Sequence, residues 1–217
     1  MEERISAERY AKKLGVRYKV VHTDEFNDEK FISNTTERCY FCKKELFSKL
    51  KSIAKKERIG FTADGSNVDD LSDYRPGTNA SRECDIVSPL REAGLNKKDI
   101  RRLAKQLKVP AWNKPSLACL ASRIPYGTRV TAAILKKIDK GERYLRELGF
   151  RQVRVRHHGN LARIEVDKAD LASLIEGGTA DRIEKKFREL GYNYVTIDLA
   201  GYRTGSMNEV LVIPKNV

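Results

Sequence analysis

The 217-residue sequence lacks the long apolar runs and the export signal that would mark a membrane or secreted protein. No run approaches the length of a transmembrane helix, and residues 1–13 alternate acids and bases without an apolar centre. Only four cysteines are present, and thiols in a reducing compartment serve metals or catalysis more often than disulfides. We therefore expect a cytoplasmic protein that does not bind membranes.

The composition favours a folded protein with anionic partners. Hydrophobic residues make up 40% and charged residues 34% of the chain, a balance typical of globular proteins and not of disordered ones. The formal net charge of +13 at pH 7 favours nucleotides, phosphorylated cofactors or nucleic acids as partners. Because most basic residues are mixed with acids or spaced round helices, a solvated surface explains the charge equally well, and nucleic acid is the less favoured partner.

The first half of the chain alternates helical and strand patterns. Predicted helices end at Leu14 and cover 42–58 and 97–107, and predicted strands cover 17–24, 59–65 and 85–90. Helices that alternate with short strands predict an α/β domain with a parallel sheet covered on both faces. A ligand site is then expected at the carboxyl ends of its strands.

The second half predicts a smaller α+β unit behind a connecting loop. Three prolines and weak periodicity over 110–126 are typical of a loop between domains. Beyond it, the patterns predict a helix over 132–148, a hairpin over 151–167, a helix over 180–190 and a strand over 193–197. We therefore predict domains at 1–113 and 128–217, joined by an interdomain loop at 114–127.

Cys39 and Cys42 form a Cys-x-x-Cys motif at the start of a predicted helix. Backbone N–H groups there, together with Lys43 and Lys44, favour the thiolate form. The spacing suits two bonds to one metal centre, and zinc, an iron–sulfur cluster or a redox pair all use it. An inert pair at a helix start remains an alternative.

Cys119 lies in the predicted interdomain loop among small side chains. Nearby Arg123 would lower its pKa or hold an anionic substrate. Taken alone, Cys119 is equally well interpreted as a small buried hydrophobic residue. We interpret Cys84, which precedes an apolar strand pattern, as a packing residue.

Two further patterns suit the binding of a nucleotide. Asp64-Gly65-Ser66-Asn67 follows a predicted strand, where glycine permits close approach of a base or ribose. Arg154 and Arg156 lie on one face of the predicted hairpin, with Glu165 and Arg163 opposite, and such paired donors suit a phosphate. A simple turn and a solvated, ion-paired strand face are the respective alternatives.

Several motifs taken together resemble the LarE family of ATP-dependent sulfur transferases, and they span nearly the whole chain. They are Arg38-Cys39-Tyr40-Phe41-Cys42-Lys43-Lys44, Asp64-Gly65-Ser66-Asn67-Val68-Asp69-Asp70, Asp73-Tyr74-Arg75-Pro76-Gly77, Ser88-Pro89-Leu90, Cys119 with Arg123-Ile124-Pro125-Tyr126-Gly127, Arg154-Val155-Arg156-His157-His158-Gly159 and Gly201-Tyr202-Arg203-Thr204-Gly205-Ser206-Met207.

The resemblance implies a fold and an activity. Members of this family are PP-loop ATP pyrophosphatases with a Rossmann-like α/β domain followed by a small α+β domain. They convert the carboxylates of a pyridinium mononucleotide to thiocarboxylates during synthesis of the nickel-pincer nucleotide of lactate racemase. The resemblance therefore implies ATP and Mg²⁺ as cofactors, other nickel-pincer biosynthesis proteins as partners, and a homo-oligomer.

The resemblance also implies residue roles. Cys119 is similar to the family's sulfur-bearing cysteine, which some members consume to dehydroalanine. Members with cysteines matching Cys39 and Cys42 resemble cluster users, in which these residues and Cys119 hold a [4Fe–4S] cluster with one open iron. A zinc site or no metal is the alternative. The residues similar to those around the substrate phosphate are Ser122, Arg123, Arg154, Arg156, Lys43, Glu142 and Glu165.

One family feature has no match in this sequence. A Ser-Gly-Gly-x-Asp-Ser loop, whose backbone amides would hold the ATP phosphates, is absent, and the chain aligns from the family's second helix. We therefore expect an incomplete PP-loop domain and inefficient ATP hydrolysis by this polypeptide. A tRNA thiolation enzyme and a catalytically silent nucleotide-binding module are the rival interpretations.

Overall fold

The computed structural model describes residues 2–71, 76–114 and 118–211, with side chains from Arg4 onward. The chain divides into two compact units, Met1–Glu25 with Cys39–Lys114 and Phe26–Arg38 with Pro115–Val217. The predicted domain ranges stay predictions, but the second unit takes in Phe26–Arg38, which the sequence patterns assign to the first domain. Two parts of the predicted motifs, Asp73-Tyr74-Arg75 and Pro115-Ser116-Leu117, lie outside the described residues.

The described residues form eight α-helices and one three-stranded sheet, so the protein is of the α/β type. The helices are α1 (Glu2–Lys13), α2 (Glu29–Ile32), α3 (Arg38–Lys56), α4 (Gly77–Glu83), α5 (Pro89–Glu92), α6 (Lys97–Gln106), α7 (Ala132–Glu147) and α8 (Thr179–Glu189). The strands are β1 (Val153–His158), β2 (Leu161–Val166) and β3 (Tyr194–Ile197). In the part of the chain described here, every helix is too short or too polar to cross a bilayer.

The parallel sheet predicted for the first half is reduced to one contact in the described residues. Ala63 and Val87 form a single parallel bridge, in which Val87 donates its N–H to Thr62 and accepts from the N–H of Asp64. The segment 17–24 forms no strand, so that prediction is wrong. A strand needs a paired neighbour to satisfy its backbone N–H and C=O groups. In the predicted strand 59–65, Phe61 remains 80% exposed, so this segment is not the buried strand that the sequence predicts. The Rossmann-like arrangement therefore stays a prediction.

A small core holds the first unit together. Phe47 of α3 packs with Ala80 of α4, Cys84 and Ile86, and Tyr40 and Leu50 cover this cluster. The interpretation of Cys84 as a packing residue is confirmed.

Helix α7 of the second unit begins and ends as the sequence predicts. The Thr131 hydroxyl accepts a hydrogen bond from the N–H of Ile134 and caps the N-terminus. Gly149, with φ +103°, lies just beyond the C-terminus, where a left-handed residue ends a helix without strain. These local signals confirm the prediction of a helix over 132–148.

The predicted hairpin is also confirmed, and it has one apolar face and one charged face. Strands β1 and β2 are antiparallel, and β3 pairs in parallel with β2. Arg154 lies opposite Glu165 and Arg156 opposite Arg163, as expected. Gly141 of α7 packs tightly on the apolar face, because a Cβ there would lie 3.1 Å from the Phe187 ring of α8.

The charged face of the hairpin is buried, contrary to the alternative of a solvated strand face. Arg154, Arg156 and Glu165 are each at most 4% exposed. In sequence, alternating arginines look like a surface strand, but a buried charge is tolerated when partners satisfy it. The residues that supply these partners define the candidate site.

Candidate functional site

Cys119 is exposed and precedes a short 3-10 turn over Leu120–Arg123. The structure therefore rejects the alternative of a buried hydrophobic residue. The Arg123 guanidinium is 1% exposed, and its Nη1 donates to the carbonyls of Ala118 at 2.8 Å and Cys119 at 3.1 Å. The same atom donates to Ser122 Oγ at 3.0 Å. The buried Arg123 thus fixes the backbone around Cys119, while the Cys119 thiol faces solvent.

Glu142 of α7 holds Arg123 in place. Its carboxylate is fully buried and accepts from Arg123 Nε at 2.7 Å and Nη2 at 3.2 Å. It also accepts from Arg146 at 2.7 Å and from the N–H of Val155 at 3.2 Å. Four donors satisfy this buried anion, which is the condition under which a buried ion pair is stable.

Arg156 makes a second paired contact of the same kind. Its Nε and Nη2 donate to the buried carboxylate of Glu165 at 2.8 and 2.7 Å. Its Nη2 also donates to Ser206 Oγ at 2.6 Å, and its Nη1 donates to the Ser122 carbonyl at 2.9 Å. Arg156 therefore ties the sheet to the turn that follows Cys119.

Arg154 has a different environment. It is 4% exposed, its Nη1 donates to the Val153 carbonyl at 2.7 Å, and its guanidinium lies 5.0 Å from the centre of the Tyr202 ring. Burial lowers the pKa of Arg154, repulsion from Arg123 and Arg156 adds to this effect, and Glu142 opposes it. An anion bound at Arg154 would offset that repulsion.

In the first unit, Lys43 and Asp64 meet at the predicted nucleotide turn. Lys43 Nζ lies 3.6 Å from Asp64 Oδ2, and Gly77 leaves room for the lysine stem, since a Cβ there would lie 2.7 Å from Lys43 Cδ. Because Lys43 and the arginine cluster belong to different units, its predicted part in phosphate binding stays a prediction.

Asp64 closes its own turn. It accepts from Ser66 N–H at 3.1 Å, Ser66 Oγ at 2.7 Å and Ser88 Oγ at 2.8 Å. Burial raises the pKa of Asp64, but these hydrogen bonds and Lys43 outweigh that effect and hold the pKa below its usual value. Asp64 is therefore an ionised anchor of the loop.

The rest of the turn leaves the backbone at Gly65 open to a ligand. Asn67 is buried and accepts from the N–H of Asp69 at 3.0 Å. A Cβ at Gly65 would meet no atom of the described residues within 4 Å. A ligand could approach the backbone there, although nucleotide binding by 64–67 stays a prediction.

Cys39 and Cys42 lie on one side of the first turns of α3, three residues apart. Both are reduced and half-buried. Within the ranges that the structure describes, no three His, Cys, Asp or Glu side chains are gathered as a metal site. Cys39 and Cys42 belong to the first unit and Cys119 to the second, so their joint metal binding stays a prediction.

Comparison with known proteins gives the family. No model of a known protein family matches the chain. A protein of Lactiplantibacillus plantarum, named pyridinium-3,5-bisthiocarboxylic acid mononucleotide synthase, is 38% identical over 97% of this chain and 75% of its own length. The chain belongs to the LarE family. An uncharacterised protein of Synechocystis is 39% identical over 97% of this chain and 78% of its own length. An uncharacterised protein of Methanocaldococcus jannaschii is 37% identical over 89% of this chain and 73% of its own length.

Sequence reasoning missed several residues that build the site of this LarE-family chain. Tyr202 and Ser206 lie within a motif quoted above, but nothing in that motif indicates their contacts with Arg154 and Arg156. Arg38 is part of the Cys39 motif without an assigned role. Asn34 stands outside every motif, and its only sequence signal is the preference of asparagine for turns.

Proposed function

We propose that the protein is a sulfur transferase that converts carboxylates of a pyridinium biscarboxylic acid mononucleotide to thiocarboxylates. One observation carries the proposal: an exposed thiol, Cys119, is held on a backbone fixed by the buried Arg123–Glu142 pair. The name of the Lactiplantibacillus plantarum relative supplies the substrate class. A nucleophile on a rigid turn is the arrangement that covalent group transfer requires.

The arginine cluster would bind the phosphate of the mononucleotide. Arg123 and Arg156 share the carboxylates of Glu142 and Glu165, and a phosphate bound at Arg154 would offset the repulsion that Arg154 receives from both arginines. The Ser122 hydroxyl accepts from Arg123 and retains its own hydrogen for a phosphate oxygen. Glu142 and Glu165 would act by orienting these arginines.

In the proposed reaction, a substrate carboxylate oxygen attacks the α-phosphate of ATP and pyrophosphate leaves. This activation is needed because carboxylate oxygen is otherwise a poor leaving group. Mg²⁺ would neutralise the phosphates, and the turn 64–67 would hold the base or ribose. The Cys119 thiolate attacks the acyl carbon, a C–S bond forms, and AMP leaves with the C–O electron pair. Loss of the Cys119 α-proton to a base then breaks the Cβ–S bond, leaving thiocarboxylate and dehydroalanine.

A cluster is the other sulfur source. Cys39, Cys42 and Cys119 would supply three thiolates to a [4Fe–4S] cluster, which when bound would offer sulfide at its open iron. Both cysteines of α3 are reduced and share one side of the helix, which fits a two-thiolate contribution. Zinc bound by the same cysteines is the structural alternative.

Anaerobic reconstitution with iron and sulfide tests this cluster. The wild-type protein is expected to gain the visible absorption band of a cluster, and Cys39→Ala is expected to lose it because one of three ligands is gone. Cys84→Ala is the matched control, since Cys84 is buried in a separate core. No band, together with zinc in protein purified without oxygen, would contradict the cluster.

The function is tested by incubating the protein with the mononucleotide, ATP, Mg²⁺ and sulfide and following oxygen-to-sulfur exchange by mass spectrometry. We expect thiocarboxylate to form slowly, because this polypeptide has no match to the loop that holds the ATP phosphates. We expect Arg154→Met to weaken mononucleotide binding about 10- to 100-fold, the usual loss for a charged hydrogen bond. The control is Arg151→Met, because Arg151 is exposed and precedes β1.

The outcomes separate the rival functions. Binding of the mononucleotide without ATP binding or product would indicate a silent module. Salt-sensitive tRNA binding with thiolated tRNA as product would support the tRNA thiolation enzyme. Equal binding by Arg154→Met and the wild type would contradict the phosphate site.

A further inference from the structure

Asn34 lies in the turn between α2 and α3 and contacts the loop that follows Cys119. It is fully buried, and its Nδ2 donates to the carbonyls of Ile124 at 3.3 Å, Pro125 at 2.8 Å and Thr128 at 2.9 Å. The backbone carbonyl of Asn34 accepts a hydrogen bond from the N–H of Gly127 at 3.0 Å. Its φ of +57° is left-handed, a conformation that asparagine adopts more easily than most residues. One side chain thus donates to three carbonyls of this irregular loop.

Arg38 continues the contact toward Cys119. It is 3% exposed, and its Nη1 donates to Asn34 Oδ1 and, at 2.9 Å, to the Ala121 carbonyl. The guanidinium lies 6.0 Å from the centre of the Tyr126 ring. A buried charged donor on a carbonyl is a strong constraint, and here it adds to the hydrogen bond that the Ala121 carbonyl accepts from the N–H of Ile124 at 3.2 Å.

The carbonyls around Cys119 are divided among three arginines. Arg123 donates to those of Ala118 and Cys119, Arg156 donates to that of Ser122, and Arg38 donates to that of Ala121. Arg123 and Arg156 are themselves fixed by buried glutamates, whereas Arg38 contacts Asn34. Of these three arginines, Arg38 is the one that lies in the segment before Cys39.

We infer that Asn34 and Arg38 are positioning residues for Cys119, an inference that rests on the proposed role of Cys119 in sulfur transfer. They fix the carbonyls on its C-terminal side, so that the turn does not adopt other conformations while the thiol reacts. A nucleophile on a mobile turn would spend less time in the reactive geometry, which lowers the rate constant of the reaction more than it weakens substrate binding.

The test compares Arg38→Met, Arg38→Lys and Arg129→Met. In Arg38→Met we expect amide hydrogen exchange at Ser122 and Gly127 to accelerate about tenfold or more, the cost of one buried charged hydrogen bond. We expect the rate constant of thiocarboxylate formation at saturating mononucleotide to fall by about the same factor, with the mononucleotide concentration for half-maximal rate changed less than about threefold. Arg38→Lys keeps a cationic donor and is expected to recover most of both effects.

Arg129→Met is the matched control. Arg129 forms an exposed bidentate pair with Glu29, so it joins the same two parts of the chain without touching a carbonyl of the turn. Equal exchange in Arg38→Met and Arg129→Met would overturn the inference, as would equal acceleration in β1 and β2, which would indicate general destabilisation. Absence of thiocarboxylate with the wild type would reject the proposed function, and the exchange comparison would still decide whether Arg38 holds the turn.

Discussion

Cys119→Ala is expected to abolish thiocarboxylate formation, with a loss of about 1000-fold or more, because no other group would replace the reacting sulfur. The side chain is exposed, so its removal leaves the turn carbonyls with their arginine donors. Product formation measured by mass spectrometry over several protein equivalents checks this. The thermal midpoint is expected to stay within about 2 °C of the wild type, as for most surface substitutions.

Cys84→Ala provides the control for loss of a thiol. Cys84 packs with Phe47, Ala80 and Ile86, so its replacement is expected to lower the free energy of unfolding by about 1 kcal/mol and to leave product formation unchanged. A Cys119→Ala protein that still forms product at the wild-type rate would remove Cys119 from the mechanism.

The mass of the Cys119 peptide after turnover distinguishes the two sulfur sources. Sacrifice of the cysteine predicts a single turnover and a peptide lighter by the mass of hydrogen sulfide. Delivery of sulfide by a cluster predicts repeated turnover with an intact cysteine.

Glu142→Gln is expected to lower the free energy of unfolding by about 3–5 kcal/mol, the usual cost of breaking a buried ion pair by removing one partner. Glu142 is fully buried and accepts from Arg123, Arg146 and the N–H of Val155. A neutral amide would leave the Arg123 guanidinium buried without this carboxylate. Urea denaturation at neutral pH measures the change.

Glu184→Gln is the matched substitution on an exposed pair. Glu184 and Arg188 lie one turn apart on α8 and are both more than half exposed, so the expected change is within about 0.5 kcal/mol. Similar losses in the two variants would show that the Arg123–Glu142 pair contributes no more than a surface pair. A large loss of unfolding free energy in Glu142→Gln alone would indicate that Glu142 holds Arg123, and through it the Cys119 turn, in place.

The second half of the chain was largely predictable from sequence. Helix α7 has a capping threonine, an apolar stripe and a terminal glycine, and the hairpin has strict alternation about a Gly-containing turn. These are short-range signals, so they predict a helix or a hairpin without knowledge of the rest of the fold. The same reasoning failed over 17–24, because a run of strand-forming residues becomes a strand only when another segment pairs with it.

The candidate site was predictable in residue type and not in arrangement. Arg123, Arg154, Arg156, Glu142 and Glu165 were all identified, but each as a contact to substrate phosphate. In the structure, Arg123 and Arg156 donate to glutamates and to backbone carbonyls, and their contact with the substrate phosphate stays a prediction. Sequence spacing does not reveal which donors are already used inside the protein.

The sequence alone determined the family resemblance and the second-half helices and hairpin, because motifs and periodicity are local properties of a chain. Only the tertiary structure decided that the arginine face is buried and that Asn34 and Arg38 hold the loop after Cys119. Asn34 and Ile124 are 90 residues apart, and local sequence carries no information about such a contact. Burial of the loop carbonyls, not the sequence around them, makes these distant donors necessary.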